Sequence, residues 1–371
     1  MSRVKFGDVA REVRDTWDGP IEGAPVVGLE HLDPDETLLS RWDAGTAGTT
    51  FSKRFRKGQL LFGRRRAYQR KAAVAPFDGI CSGDITVIEA RPDRLLPSLL
   101  PFLVQNPAFF EHAVRGSAGS LSPRVKWAFL ADYEFELPDL PRQRALAEKF
   151  AALRDAKDAY GRLLAATDEL VKSQFVEMFG TAFKTIQLKD CCSEILSGKT
   201  PSMSHSEFYG GDVPFIKSGD IRAKYVSKGI LSLTDSALES GEGRYVPAGS
   251  IIVVVRSAAL QHEFRHAIAS CPIVINQDLK ALVPKQGYRS DFIYSAISSA
   301  IPELLTKVQT MVTSHIDLDD LLSIGIPQVD LNAQHRFAAF LSATDKSKFA
   351  VRQSLEKLEA VYKALSKEAF G

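Results

Sequence analysis

The stretch LAEKFAALRDAKDAYGRLLAATDELVKSQFVEMF (146–179) decides how this chain is read, because FAAFLSATDKSKFAVRQSLEKLEAVYKALSKEAF (337–370) answers it 191 residues later. Leu146, Leu153, Tyr160, Thr167 and Gln174 with Phe150, Lys157, Leu164, Val171 and Met178 form two seam positions of a heptad, seven of the ten apolar. Adding 191 gives Phe337, Thr344, Val351, Leu358 and Leu365 with Leu341, Lys348, Leu355, Tyr362 and Ala369, eight of ten apolar. Five heptads in one register in both segments predict a coiled coil rather than two unrelated surface helices. Lys157 and Lys348 share a seam position, where a polar residue fixes register at some cost in stability. A helix of this length spans about 55 Å at 1.5 Å per residue, which suits a spacer.

The repeat extends outward from these segments. Gln143 and Gln334 lie 37 residues before Gly180 and Gly371, and Phe179-Gly180 returns as Phe370-Gly371. Upstream, FRKGQLLFGRRR (55–66) answers VPAGSIIVVVRS (246–257), with Gly58 on Gly249 and Arg65 on Arg256. Asp8 falls on Asp190 and Pro25 on Pro214 at offsets of 182 and 189, so loops differ in length inside a shared framework. A period this long is a domain duplication, not a solenoid. Two similar but non-identical modules usually engage two similar but non-identical things.

Each copy begins with short β-rich runs bounded by Gly, Pro, Ser and Asp: Gln59–Phe62 and Ile85–Ile88, then Val213–Ile216, Ile251–Val255 and Ile273–Ile275. Helical stretches follow, Leu99 to Val114 and Asp291 to Val308. The expected class is α+β, with mostly antiparallel sheets in 1–138 and 184–327 and long helices in 139–180 and 328–371. Pro141 and Gly180 punctuate the first helix as expected.

The chain has 371 residues, 45% of them hydrophobic and 25% charged, an ordinary globular composition for two to three domains. Residues 1–20 lack a signal-like apolar run and no stretch approaches a membrane span. Cys81, Cys191, Cys192 and Cys271 form no CxxC, a poor disulfide framework, so the cytosol is the expected compartment. Residues 1–180 carry 26 Lys and Arg against 25 Asp and Glu, and 181–371 carry 21 against 20. A case for nucleic acid therefore rests on local charge.

That local charge is Lys53, Arg54, Arg56, Lys57, Arg64, Arg65, Arg66, Arg70 and Lys71, nine cations in nineteen residues, with no acid between 44 and 77. Phe51, Phe55, Phe62 and Tyr68 interleave with them. Such runs neutralise phosphates, and Arg reaches guanine edges bidentately; the alternative is a solvated hairpin. The matching hairpin of the second copy carries Arg256, Gln261, His262, Arg265 and His266. HEFRH (262–266) spells HExxH, but a hairpin does not present i and i+4 on one face, and no third zinc ligand is evident. Asn106-Pro107-Ala108-Phe109 echoes the Asn-Pro-Pro-aromatic motif of amino-methyltransferases, without the Gly-rich turn for the cosubstrate; the start of a helical turn is the better reading. Ser197-Gly198-Lys199-Thr200 has Ser193 where a phosphate loop needs Gly, and reads as a turn.

The residues resemble the specificity (S) subunits of Type I restriction–modification systems. The second copy carries Leu188-Lys-Asp190, SGKTPS (197–202), Tyr209-Gly-Gly-Asp212, VPFIKSGDI (213–221), VPAGSIIVVVRS, INQDLKALVP (275–284) and IPQVDLNAQ (326–334). The first carries KFGDV, KGQLLFGR, SGDITVIEA (82–90) and ELPDLPRQ (136–143), and lacks the Gly-Thr-Pro-Ser turn and the Tyr-Gly-Gly element. The resemblance implies two target-recognition domains, 1–138 and 184–327. Each is followed by a spacer helix, 139–180 and 328–371, and the two helices pack as an antiparallel coiled coil with pseudo-two-fold symmetry. It further implies double-stranded DNA as ligand, with methyltransferase (M) subunits docked on the frame and restriction (R) subunits joining the complex. S-adenosylmethionine and ATP would belong to those partners, so no catalytic residue, metal or cofactor is expected in this chain. The expected DNA-facing set is Lys53, Arg54, Arg56, Arg64, Arg65, Arg66, Tyr68, Arg70 and Lys71 in the first copy. In the second it is Lys217, Arg222, Lys224, Arg256, Gln261, His262, Arg265 and His266. The expected helix seam is Leu146, Phe150, Leu153, Leu164 and Val171 with Phe337, Leu341, Val351, Leu355, Leu358 and Leu365. The other classes weighed are a zinc hydrolase using HEFRH, an adenine methyltransferase using NPAF, and a related solitary or scaffold protein.

Overall fold

The computed structural model describes residues 2–119, 121–180, 183–310 and 314–370. Gly371, which the repeat matches to Gly180, lies outside them. Two compact units account for the chain: residues 1–161 with 352–371, and residues 162–351.

In the first unit the continuous apolar run Leu60–Gly63 is buried on both faces and forms an inner strand. It pairs antiparallel with Ile85–Ala90 and Ala72–Val74, and Ala10–Val13 closes the four-stranded sheet. A second sheet runs Asp43–Ala44, Pro25–Val27, Gly79–Cys81, Lys53–Phe55, with one parallel pair, Pro25–Val27 on Gly79–Cys81. Val27, Phe55, Leu61, Ala73 and Val87 fill one apolar cluster. The larger core joins Leu60 and Phe62 to Phe102, Phe109, Leu146 and Phe150.

The second unit repeats this plan. Ile251–Val254 lies between Leu279–Pro284 and His266–Ala269, both antiparallel, and Cys192–Ser197 pairs with Leu279–Pro284. Tyr209–Ile216 pairs parallel with Val274–Ile275, as Pro25–Val27 does with Gly79–Cys81. Gly58 and Gly249, which turn the chain into the inner strands, have φ of +87° and +83°, a region costly for residues with a Cβ. The expected α+β class and mostly antiparallel sheets are therefore present in both copies.

One expected element is interrupted. The stretch from Leu99 to Val114 is two helices, Leu100–Val104 and Pro107–Arg115, because Pro107 cannot donate to the preceding turn. Asn106 caps the second, its Oδ1 accepting the Ala108 amide at 3.0 Å, so NPAF is a helix start.

The long helices are Leu140–Phe179 and Leu331–Phe370. Leu146, Phe150, Phe337, Leu341 and Val351 are buried, and Leu153, Leu164, Val171, Leu355, Leu358 and Leu365 are half-buried. In the first unit Phe150 stacks on Phe102 and meets Tyr362 and Phe370, with ring centroids 4.9, 5.3 and 6.0 Å apart. Arg142 pairs with Glu368 at 3.4 Å, so early residues of one helix meet late residues of the other. In the second unit Phe175 and Phe179 close on Phe337 and Phe292, and Lys348 pairs with Asp168. Among the described residues no helix is long and apolar enough to cross a membrane.

Candidate nucleic-acid interface

Strand Leu60–Gly63 continues into residues 64–71, which return on Ala72–Val74. At the tip a 3-10 turn, Ala67–Gln69, lies between Arg66 and Arg70, both left-handed at φ 55° and 54°. Non-glycine residues in this region are strained and persist where their surroundings hold them. Here Ala67 is buried as an anchor, and the Arg66 amide donates to the Pro123 carbonyl at 2.8 Å. The turn thus displays Tyr68, which is 58% exposed.

The expected picture of a hairpin free of acids is corrected by the fold. Although no acid lies between 44 and 77, tertiary contacts bring aspartates from elsewhere. Arg70 pairs with Asp35 at 2.5 Å, donates to the Gln105 carbonyl at 3.0 Å and lies over the Phe110 ring. Arg65 reaches Asp84 at 3.5 Å and Ser122 Oγ, while Arg124 holds the same Asp84 at 2.6 Å. The Arg124 hydrogen bond holds the Asp84 carboxyl below its ordinary range. Arg54 pairs with Asp18 at 3.0 Å and Arg56 with Asp15 at 3.4 Å. Lys53 and Lys71 donate inward to the carbonyls of Ile85 and Leu29, each at 2.7 Å. Arg66 is exposed, with no side-chain partner among the described residues, and Arg64 is half-buried. Arg124, 43% exposed beside the turn, is a cation the sequence reading passed over, because nothing in its local pattern ties it to residues 40 positions earlier.

In the second copy the equivalent turn is Ala258–Gln261, so Ala258 falls 191 residues after Ala67. Ser257 Oγ caps it, accepting the Ala259 amide at 3.1 Å. Arg256, Gln261 and His262 are exposed around it, and Arg265 pairs with Glu263 at 2.6 Å. His266 is a correction: it opens strand His266–Ala269, is 8% exposed and stacks on Tyr294 with centroids 4.3 Å apart. Its Nε2 lies 2.9 Å from Ser298 Oγ, and burial pushes its pKa down to about 4, so it is a neutral core residue. HEFRH therefore straddles a turn and a strand, with His262 outside and His266 inside.

Lys224 is likewise held within the fold, its Nζ 2.8 Å from Asp345. Lys217 lies over the Phe215 ring at 5.6 Å, and exposed Arg222 donates to the Gly219 carbonyl at 2.9 Å. Gly198 of the SGKTPS stretch passes so close to residues 275 and 276 that a Cβ would sit 2.1 Å from the Asn276 carbonyl oxygen. Lys199 pairs with Glu242 at 2.8 Å. The segment is a close-packed turn.

Residues 181–360 match the family described as Type I restriction modification DNA specificity domain. Residues 181–360 thus carry a Type I restriction–modification DNA specificity domain. It is 29% identical over 163 residues to the Type I restriction enzyme EcoR124I/EcoR124II specificity subunit of Escherichia coli, covering 43% of this chain and 40% of that one. Over 180 residues it is 28% identical to the MjaIX specificity subunit of Methanocaldococcus jannaschii, covering 46% and 40%. The alignments thus span well under half the length of these relatives. Among solved structures, a chain from work on assembly and conformational transition of the type I R-M system is similar with a TM-score of 0.59 at 19% identity, covering 99% of this chain and 97% of that one. The Type I restriction–modification S subunit from M. genitalium is similar with a TM-score of 0.54 at 12% identity, covering 100% and 96%. These two likenesses establish a shared fold, mixed α/β with long helices.

Proposed function

We propose that this chain is the DNA sequence-specificity subunit of a Type I restriction–modification complex. Each recognition domain, 1–138 and 184–327, reads one half of a bipartite double-stranded target. The spacer helices, 139–180 and 328–371, pack as an antiparallel coiled coil that sets the gap and docks M subunits, with R subunits joining the complex. The chain itself performs no chemistry; S-adenosylmethionine and ATP belong to the partners.

The observation that carries this reading is the pair of equivalent turns on a repeated scaffold. Ala67–Gln69 and Ala258–Gln261 occupy the same place after the same inner strand, yet one presents Arg66 and Tyr68 and the other Arg256 and His262. A shared frame with different side chains at one tip suits two half-sites, since base contacts specify while the frame positions. On this reading Arg66, Tyr68 and Arg64 lead the DNA-facing set in the first copy, and Arg256, Gln261 and His262 in the second.

Methylome sequencing of a host with and without the gene tests this. The reading expects one bipartite motif to lose methylation when the gene is removed. A methylome unchanged by removal of a gene whose chain is present in the cell contradicts it.

A further inference from the structure

A short segment far along the chain flanks the turn in each copy. In the first, the Arg66 amide donates to the Pro123 carbonyl at 2.8 Å and the Val125 amide to the Arg64 carbonyl at 2.9 Å, which sets Arg124 opposite Arg65. In the second, the Ser257 amide donates to the Ser314 carbonyl and the Ile316 amide to the Val255 carbonyl, both at 3.0 Å, which sets His315 opposite Arg256. Each of these positions repeats at an offset of 191. The Arg64 and Val255 amides also donate to the Asp84 and Asp278 carbonyls, each at 2.9 Å. The main-chain frame is therefore the same in both copies.

Its side chains are not. Asp278 Oδ2 accepts from Asn276 Nδ2 at 2.9 Å, beside His315. Asp84 accepts from Arg124 instead, side-on, with Nε 2.6 Å from Oδ1 and Nη2 3.2 Å from Oδ2. Arg65 Nη1 lies 3.5 Å from the same Oδ2, and Arg65 Nε donates to Ser122 Oγ. Asp84 is enclosed at 19% exposure, while Arg124 is open at 43%.

A guanidinium carries five N–H donors in one rigid plane. The carboxylate takes the Nε hydrogen and one on Nη2, and Nη1 has no partner among the described residues. The end-on edge of Arg124 is thus left over, with two parallel donors. That edge matches the O6 and N7 acceptors of guanine in the major groove.

We infer that Arg124 reads a guanine in the half-site of the first recognition domain, with Asp84 holding its fork in place. The inference rests on the DNA-reading proposal above and adds to it a residue outside the basic run. A phosphate suits the place less well, since the adjoining carboxylate repels a second anion, whereas the guanine edge is neutral. A fork clamped beforehand also gives up less side-chain freedom on binding than a solvated arginine does. Asp84 is a positioning residue, acting through Arg124. His315 lacks two parallel donors, so the second half-site is read differently at the equivalent position.

The full-length chain assembled with M subunits tests this on a library of duplexes varied one base pair at a time through the recognised motif. The native complex should favour G·C at one position of one half by about 5- to 150-fold in methylation rate. Arg124→Lys keeps the charge and loses the fork, so that preference should vanish. The other half should keep every base, an internal control for folding and assembly. Asp84→Asn should relax the same position, and combining it with Arg124→Lys should relax it no further than Arg124→Lys alone, the non-additivity of one residue acting through another. If Arg124→Lys does not assemble, Arg124→Gln on the same library must lose the same preference. A preference retained in a complex that methylates, or a rate lowered equally at every target, overturns the inference and leaves the DNA-reading proposal in place. A native complex that selects no split motif overturns both.

Discussion

Gln334 makes at the head of the second long helix the hydrogen bonds that Gln143 makes at the head of the first. Gln143 Oε1 accepts the Leu96 amide at 2.9 Å, and its Nε2 donates to the carbonyls of Arg94 and Pro138, both at 2.9 Å. Gln334 accepts the Arg289 amide at 2.8 Å and donates to the carbonyls of Gly287 and Val329 at 3.0 and 3.4 Å. Both side chains are almost fully buried, at 1% and 0% exposure. A primary amide suits the place because it offers an acceptor and two donors at once.

Removing either amide leaves buried main-chain groups without partners. Gln143→Ala and Gln334→Ala should each destabilise the chain by about 2–4 kcal/mol, and Gln→Glu should not rescue, since a carboxylate cannot donate to the two carbonyls. Chemical denaturation of each full-length variant checks this.

His266 gives the second unit a dependence on acid. Its folded pKa of about 4 lies below the ordinary value of 6.5, because burial penalises the charged ring. Between these values the unfolded chain holds more protons, so stability is intact above pH 6.5 and falls as pH drops toward 4. The whole window is worth about 3 kcal/mol at most. A His266→Gln chain should be less stable at pH 7 but flatter across that window, as unfolding measured at several pH values will show.

Arg66 and Arg70 should separate on substitution although they sit in one basic run. Arg66→Ala removes an exposed guanidinium without a partner among the described residues, so it should change DNA affinity or motif and leave melting unchanged. A guanine contact would cost about 1–3 kcal/mol and relax one position, whereas a phosphate contact would lower the salt slope by about one. Arg70→Ala breaks the Asp35 pair and the bond to the Gln105 carbonyl, so melting should fall as well. Parallel melting and DNA-binding titrations of the two variants distinguish these roles.

The proposed spacer role predicts a length effect. One heptad inserted after Arg162 keeps the seam in register and adds about 10 Å, close to three base pairs of B-DNA. The recognised gap should widen while both half-sites keep their bases. Four inserted residues rotate the seam and should weaken assembly with M subunits instead.

How much of this was legible depended on the range of the interaction. The helix seam was legible because burial along a helix follows a local period: Phe150, Phe337, Leu341 and Val351 are buried where the heptad put them. The inner strands were legible as apolar runs, and the glycines before them as repeat positions. The charges were not. Arg65 and Asp84, or Arg70 and Asp35, are brought together by strand pairing, so a run that is acid-free along the chain is well supplied with carboxylates in space. His266 misled for a related reason, since its neighbours His262 and Arg265 are surface residues while the strand turns its own side chain onto Tyr294. The roles of Gln143 and Gln334 were hidden too: their position was plain from the repeat, but two of the three main-chain partners of each lie 45 to 49 residues away.

The central claim is that each copy reads its own half of a split target, and one exchange tests it most directly. Residues 184–327 are replaced by the corresponding domain of a known specificity subunit, the chain is expressed with the M subunits proposed for it, and the methylome is sequenced. The account predicts a motif in which one half is new, the other half is unchanged and the gap keeps its length. A motif altered in both halves, in a complex that still methylates, would contradict it.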